Sequence, residues 1–180
     1  MTIPIRIGLI GMGTVGTGVV RLIQDSAEHI SRQAGRAVLV DHVVVQDSSK
    51  QRSIELPSDQ ISNDFARVRD NPDISIVALL LGGLEPARTL AIELLKSGKD
   101  LVTANKALLA EHGPELFGVA HEMGRSIAFE AAVAGGIPIV AAISECLTGN
   151  RIGSIRGILN GTSNFILTKM EQDGTDYHEV

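Results

Sequence analysis

Apolar runs and stretches of helical periodicity alternate along most of this chain, a pattern that predicts a parallel sheet joined by crossover helices. Ile5–Ile10 reads as a first strand. Val15, Val19, Val20 and Ile23 recur at helical spacing, so a helix is expected from about Thr14 to Ser31. Val38–Gln46, dense in β-branched residues, is a second strand, and 47–63 reads as polar loop. A short helix near Asp64–Arg69 and an Asn71-Pro72-Asp73 turn lead into Ile74–Leu81, an unbroken apolar run suited to a strand covered on both faces. Helical periodicity returns over Glu85–Ser97, with Gly98 as its cap, followed by a strand at Leu101–Thr103, a helix at Pro114–Met123 and a strand at Ile127–Glu130. Pro138 suits the first turn of a further helix. Ile152–Leu159 then reads as a strand, and 160–164 opens a helix of about Phe165–Glu171.

The first strand runs directly into Gly11-Met12-Gly13-Thr14-Val15-Gly16. Strand, glycine turn and helix start in that order make the dinucleotide-binding fingerprint of a βαβ unit. Gly11 permits the sharp turn, Gly13 lets backbone approach a diphosphate, and Gly16 lets the helix lie close to the sheet. The first N–H groups of the helix then face the phosphates. The fold class that follows is α/β, with a doubly wound, mostly parallel Rossmann-type sheet over 1–150. The beginning of a second α/β domain, 151–180, stops at Tyr177-His178-Glu179-Val180 without a cap or closing strand and reads as truncated.

Composition narrows the function classes. Sixteen basic against 21 acidic residues give a net charge of −5, and only four Phe, one Tyr and no Trp are available for base stacking, which argues against nucleic acid as a partner. No segment approaches the ~18–20 apolar residues of a membrane span, and no leader pattern opens the chain, so a cytoplasmic protein is expected. Cys146, the sole cysteine, excludes an internal disulfide and reads as a buried packing residue in the apolar stretch Ile139–Leu147. The five histidines have no metal-ligand spacing.

Four further clusters carry candidate chemistry. Gln46-Asp47-Ser48-Ser49-Lys50 follows the second strand, where such folds contact the adenosine ribose: Asp47 suits a ribose hydroxyl, whereas Lys50 or Arg52 suits a 2′-phosphate, and a solvated loop is the bland alternative. Thr103-Ala104-Asn105-Lys106 closes another strand. A lysine there either holds an anion or polarises a carbonyl, or is an ordinary surface cation, though helix starts disfavour cations. Glu130, followed by the small residues 131–136, either caps the next helix or joins main-chain carbonyls as a hard-oxygen cation site. In Asn160-Gly161-Thr162-Ser163-Asn164, the hydroxyls either recognise an anion or cap the helix.

Together the segments 7–16, Gly82-Gly83, 102–108, 129–138 and 157–167 resemble homoserine dehydrogenases, in that family's order and over essentially the whole chain. The resemblance implies an NAD- or NADP-dependent oxidoreductase interconverting L-homoserine and L-aspartate 4-semialdehyde, on the route to threonine, methionine and isoleucine. It implies diphosphate contacts at Thr14 and Val15 and places Lys106 near the nicotinamide; with the glycine turn and the strand ends read above, the expected cofactor contacts are Gly11, Gly13, Thr14, Val15, Gly16, Asp47, Lys50, Gly82, Thr103 and Lys106. Lys106 is the implied catalytic contact, Gly161 and Thr162 the implied substrate contacts. A sodium ion is implied at Glu130 with the main-chain oxygens of Val133, Gly135 and Ile137. The family is usually a homodimer through its second domain, and its main catalytic lysine belongs to a segment expected after Val180, so this stretch alone is expected to bind cofactor and turn over poorly. Many members carry arginine at the place of Gln46, which leaves NAD against NADP open, and many carry an acid at that of Leu79. Other small-aldehyde or imine reductases on the same unit would show a cysteine nucleophile or a histidine-rich signature, and neither is present. A non-catalytic dinucleotide sensor is the remaining alternative.

Overall fold

The computed structural model describes residues 3–158 and 160–180. The chain divides into two compact units, Met1–Ala132 and Val133–Val180. The stretch 133–150, assigned from its pattern to the first domain, falls in the second unit, because the last strand of the sheet ends at Ala128.

The first unit is a six-stranded sheet with helices. In chain order the elements are β1 (Ile5–Ile10), α1 (Thr14–Asp25), α2 (Ala27–Ala34), β2 (Val38–Val44), β3 (Ile61–Ser62), α3 (Ala66–Arg69), β4 (Ile74–Leu79), α4 (Ala87–Lys96), β5 (Asp100–Thr103), α5 (Lys106–Glu122) and β6 (Ile127–Ala128). The strand order is β3-β2-β1-β4-β5-β6 and every pairing is parallel. The chain winds outward from β1 to β3, then returns to lay β4 on the other side of β1. That reversal opens a crevice above the carboxyl ends of β1 and β4, where ligands bind in such sheets.

Strand periodicity sorts the core into two layers. Leu9, Val43 and Ala78 join Met12 and Val20 in one buried cluster, while their neighbours Ile10, Val44 and Leu79 join Val68, Leu94, Leu95, Leu108 and Leu116 in the other. Successive side chains thus enter opposite faces, both covered, as the apolar runs predict.

Several boundaries differ from the expected ones. The helix predicted over 14–31 is broken at Ser26, which ends α1 with its N–H on the Leu22 carbonyl and begins α2. α5 starts eight residues before the expected Pro114, because Asn105 caps it and Pro114 is carried inside the helix. Ile61–Ser62, expected as loop, adds a short edge strand to β2. There the buried His42 Nε2 lies 2.8 Å from Ser62 Oγ. Across the sheet, buried Lys99 donates to the carbonyls of Asn71 (2.5 Å) and Ile74 (2.7 Å), and burial lowers its pKa.

The second unit contains α6 (Ile139–Ala141), which runs into a π-helical turn at Ala142–Cys146, and α7 (Gly161–Asp173). Cys146 is exposed, a correction to the expected buried position: an apolar stripe is buried only where another face covers it, and Leu147 beside it is also exposed. The expected strand Ile152–Leu159 is not present among the described residues, and Leu159 lies outside them; Ile152, Ile155 and Ile158 recur every third residue, which lines up no single strand face, and a strand also needs a hydrogen-bonding partner.

Burial, helped by Arg67 and opposed by Asp41, Asp64 and Asp59, holds the His42 imidazole below its usual pKa of 6.5. The unfolded chain therefore binds the proton more readily, and this contribution to stability is lost as pH falls below about 6.5. Thermal midpoints should drop between about pH 7 and pH 5, and the His42→Gln variant should lose less over that interval. An equal drop in both proteins would remove His42 from the cause.

Candidate functional site

The turn between β1 and α1 is built on close contact. Gly11 has φ +91°, and a Cβ there would meet the Leu80 carbonyl at 2.9 Å. Gly16 is tighter still: its Cβ would lie 2.2 Å from the Gly11 carbonyl oxygen. Gly13 differs, because a Cβ added to it would meet no atom within 4 Å. Gly13 also occupies the N-cap of α1, where no side chain caps the helix and no acid stands in the first turn. Thr14 and Val15 are exposed, whereas Gly16 and Val20 are buried. Bare backbone N–H groups and the positive end of the helix dipole thus face open space, a cradle suited to a diphosphate.

Two clefts flank this turn. One, about 480 Å³, lies above the ends of β1 and β2 and is mainly apolar, with Ile10, Val44, Phe65 and Leu90 among its walls and Gln46 and Asn63 as polar groups. A flat heterocycle and a ribose fit such a lining. The other, about 230 Å³, is bounded by Val15, Leu80, Ala104, Asn105 and Lys106. Leu81 and Gly82 border both. The structure therefore brings Val15, Gly82 and Lys106 to one cleft, beside the glycine turn.

Asn105 borders the smaller cleft, whereas Thr103, expected to touch the cofactor, lies behind it and borders neither cleft. Thr103 is buried and its Oγ1 donates to the Leu79 carbonyl at 2.9 Å, so that hydroxyl braces the strand exit. Asn105 N–H donates back to Thr103 Oγ1 at 3.2 Å. Lys106, the first residue of α5, is exposed.

The loop after β2 is internally tied. Asp47 Oδ1 accepts from Ser49 N (2.9 Å) and Ser49 Oγ (2.6 Å), and these bonds hold its carboxyl below the usual carboxylate range. Arg52 spends its two terminal nitrogens on the carbonyls of Lys50 (2.7 Å) and Asp47 (2.6 Å), while its Nε is buried without a hydrogen-bond partner. Asp47 and Lys50 are both exposed on this loop, and neither borders the two clefts.

Residues 11–130 match the family model described as "Homoserine dehydrogenase, NAD binding domain", and residues 138–180 match the one described as "Homoserine dehydrogenase". The chain belongs to the homoserine dehydrogenase family. It is 45% identical over 176 residues to the homoserine dehydrogenase of Bacillus subtilis, covering 98% of this chain and 41% of that protein. The homoserine dehydrogenase structure from Thiobacillus denitrificans superposes with a TM-score of 0.87 at 43% identity, over 98% of this chain and 41% of that one. That from S. aureus at pH 6.0 gives 0.78 at 36% identity, over 99% and 44%. The chain thus spans about two fifths of the length of the relatives it matches.

Of the other residues that the homoserine dehydrogenase resemblance implies, Glu130 opens a 3₁₀ turn, Glu130–Ala132, in the first unit. Val133, Gly135 and Ile137 belong to the second, where Ala134 (φ 54°) and Gly135 (φ 61°) are left-handed in succession and Ile137 N–H returns to the Ala134 carbonyl. Gly161 and Thr162 open α7 and are exposed. The cap of that helix is Asn160, whose Oδ1 accepts from Ser163 N at 2.9 Å, so neither Thr162 nor Ser163 performs it. Asn63, Phe65 and Asn105 border the two clefts without being among the functional residues expected from the sequence. Only Asn105 carried a signal, as an Asn two residues after a strand and directly before a helix.

The glycine geometry separates folding from binding. Gly16→Ala should displace the turn and cost about 2 kcal/mol or more of stability. Gly13→Ala should leave the thermal midpoint within a few degrees yet weaken NADH binding about tenfold or more, as its methyl enters the diphosphate cradle. Calorimetric titration beside thermal melts checks both, and a Gly13→Ala protein with wild-type affinity would contradict the cradle.

Proposed function

We propose that this chain is the nucleotide-binding part of an NAD(P)-dependent homoserine dehydrogenase that interconverts L-homoserine and L-aspartate 4-semialdehyde, serving threonine, methionine and isoleucine synthesis in the cytoplasm. The observation that carries the reading is the crevice at the strand-order reversal, where an uncapped helix start, an apolar cleft and an exposed lysine meet. No described helix is long and apolar enough to cross a membrane. Homodimerisation of the whole protein belongs to the proposal on the family resemblance alone.

The division of labour follows from the chemistry of each group. The amides of Thr14 and Val15 bind the diphosphate, and the absent Cβ of Gly13 lets backbone approach it. The apolar walls of the larger cleft take the adenine, with Gln46 and Asn63 at the sugar. A bound dinucleotide supplies the hydride donor or acceptor, its nicotinamide C4. Lys106 provides a fixed positive charge for the oxygen of the reacting carbon, stabilising the alkoxide as it develops. A positioned acid or base must also exchange the hydroxyl proton. Gly161 and Thr162, at the start of α7, are proposed substrate contacts.

The β2–β3 loop favours NADH over NADPH. Gln46 is neutral, Asp47 stays ionised, and the terminal nitrogens of Arg52 are already engaged on main-chain oxygens. Arg52 therefore offers a 2′-phosphate no free terminal nitrogen, and the exposed Lys50, the remaining cation of the loop, is offset by the Asp47 carboxylate.

The full-length protein should oxidise homoserine with NAD, and Lys106→Ala should lower turnover by about 10²-fold, the scale of one transition-state contact. NADH should bind at least as tightly as NADPH. Steady-state kinetics with both coenzymes decide the matter: no homoserine-dependent reduction of either would sink the activity, and unchanged Lys106→Ala kinetics would remove that residue from the site.

A further inference from the structure

Asn105 is buried, and its side chain makes three hydrogen bonds. Nδ2 donates to the Leu81 carbonyl at 2.9 Å and to the Gly83 carbonyl at 2.6 Å, while Oδ1 accepts from Leu108 N at 3.0 Å. Helix capping needs only the last of these, and a serine would meet it as well. The two donated bonds are the ones that require an amide. They reach across to the loop that leaves β4, whose last sheet rung is Leu80 N–H on the Ile10 carbonyl. Beyond that rung, Leu81 and Gly82 form a wall of both clefts. Lys106 follows Asn105 directly and faces the same smaller cleft.

We propose that Asn105 is a positioning residue that sets the width of the nucleotide crevice, tying the Leu81–Gly83 wall to the first turn of α5 and so fixing Lys106 against it. This rests on the nucleotide reading above. One amide holds both sides of the opening at a set separation, so the crevice is formed before ligand enters and little ordering remains to be done on binding. The chain of bonds continues inward through Asn105 N–H and Thr103 Oγ1 to the Leu79 carbonyl, which anchors the tie to the sheet itself. A misplacement of about 1 Å at such a wall is enough to cost up to 10²-fold in a reaction that depends on alignment.

Asn105→Ser separates the two roles in the full-length protein, because it keeps an acceptor for the Leu108 N–H and removes the amide Nδ2, whose two bonds the single proton of a shorter hydroxyl cannot both replace. The expected result is a thermal midpoint within a few degrees of wild type, an NADH dissociation constant raised about tenfold or more, and kcat lowered at saturating NADH. Asn105→Ala should show the same binding defect with an additional loss of stability. Should the serine variant not fold, Asn105→Asp, which also retains the acceptor, takes its place with the same expected loss of affinity and kcat and a lower thermal midpoint, because its carboxylate faces the Leu81 and Gly83 carbonyls. A serine or aspartate variant with wild-type affinity and wild-type kcat would overturn the positioning role and leave Asn105 a cap. Absence of NADH and NADPH binding by the wild-type protein would instead overturn the nucleotide reading, and this role with it.

Discussion

The contact between Gly16 and the carbonyl of Gly11 governs the architecture of the first unit. With no room for even a methyl group between them, α1 is pressed onto the turn that leaves β1. That closeness puts the helix start directly above the carboxyl end of the central strand. It buries Val20 against Leu9 and Val43 while leaving Thr14 and Val15 outside. The core packing and the exposed amides are consequences of one approach. A bulkier residue at position 16 would lift the helix and lose both.

The crevice has a second support on the far side of the strand-order reversal. Thr103 and Asn105 knit the exits of β4 and β5 together through the carbonyls of Leu79, Leu81 and Gly83. One wall is thus set by steric closeness and the other by hydrogen bonding. Both are buried or nearly so, which keeps the opening rigid although its lip at Gly82 is exposed. The loop after β2 follows a different logic, because Asp47, Ser49 and the terminal nitrogens of Arg52 bond within a few residues of one another and not to the sheet.

Much of the first unit was readable from residue pattern, for physical reasons. β1 came out at its observed ends because Gly11 follows Ile10 at once, and a left-handed glycine ends a strand. β4 was recognisable as an unbroken apolar run, which only a strand covered on both faces tolerates. The miss at α5 came from reading Pro114 as a helix start. The cap that mattered was Asn105, hidden inside a cluster valued for its lysine. The break at Ser26 escaped because the apolar spacing of α1 and the start of α2 share one period. In the second unit, pattern was a poorer guide: Ile152, Ile155 and Ile158 make 152–159 apolar enough to read as a strand, but they recur every third residue and name no pairing partner. Of the site, the glycine turn and Lys106 were visible because their chemistry is local. The bracing amide of Asn105 was not, since its partners lie more than 20 positions away.

A crystal structure of the full-length protein grown with NADH decides whether the glycine turn holds the dinucleotide. The diphosphate should lie within hydrogen-bonding distance of the Thr14 and Val15 amides, with the adenosine against Val44, Gln46 and Phe65. A dinucleotide ordered away from residues 11–16, with those amides left facing solvent, would contradict it.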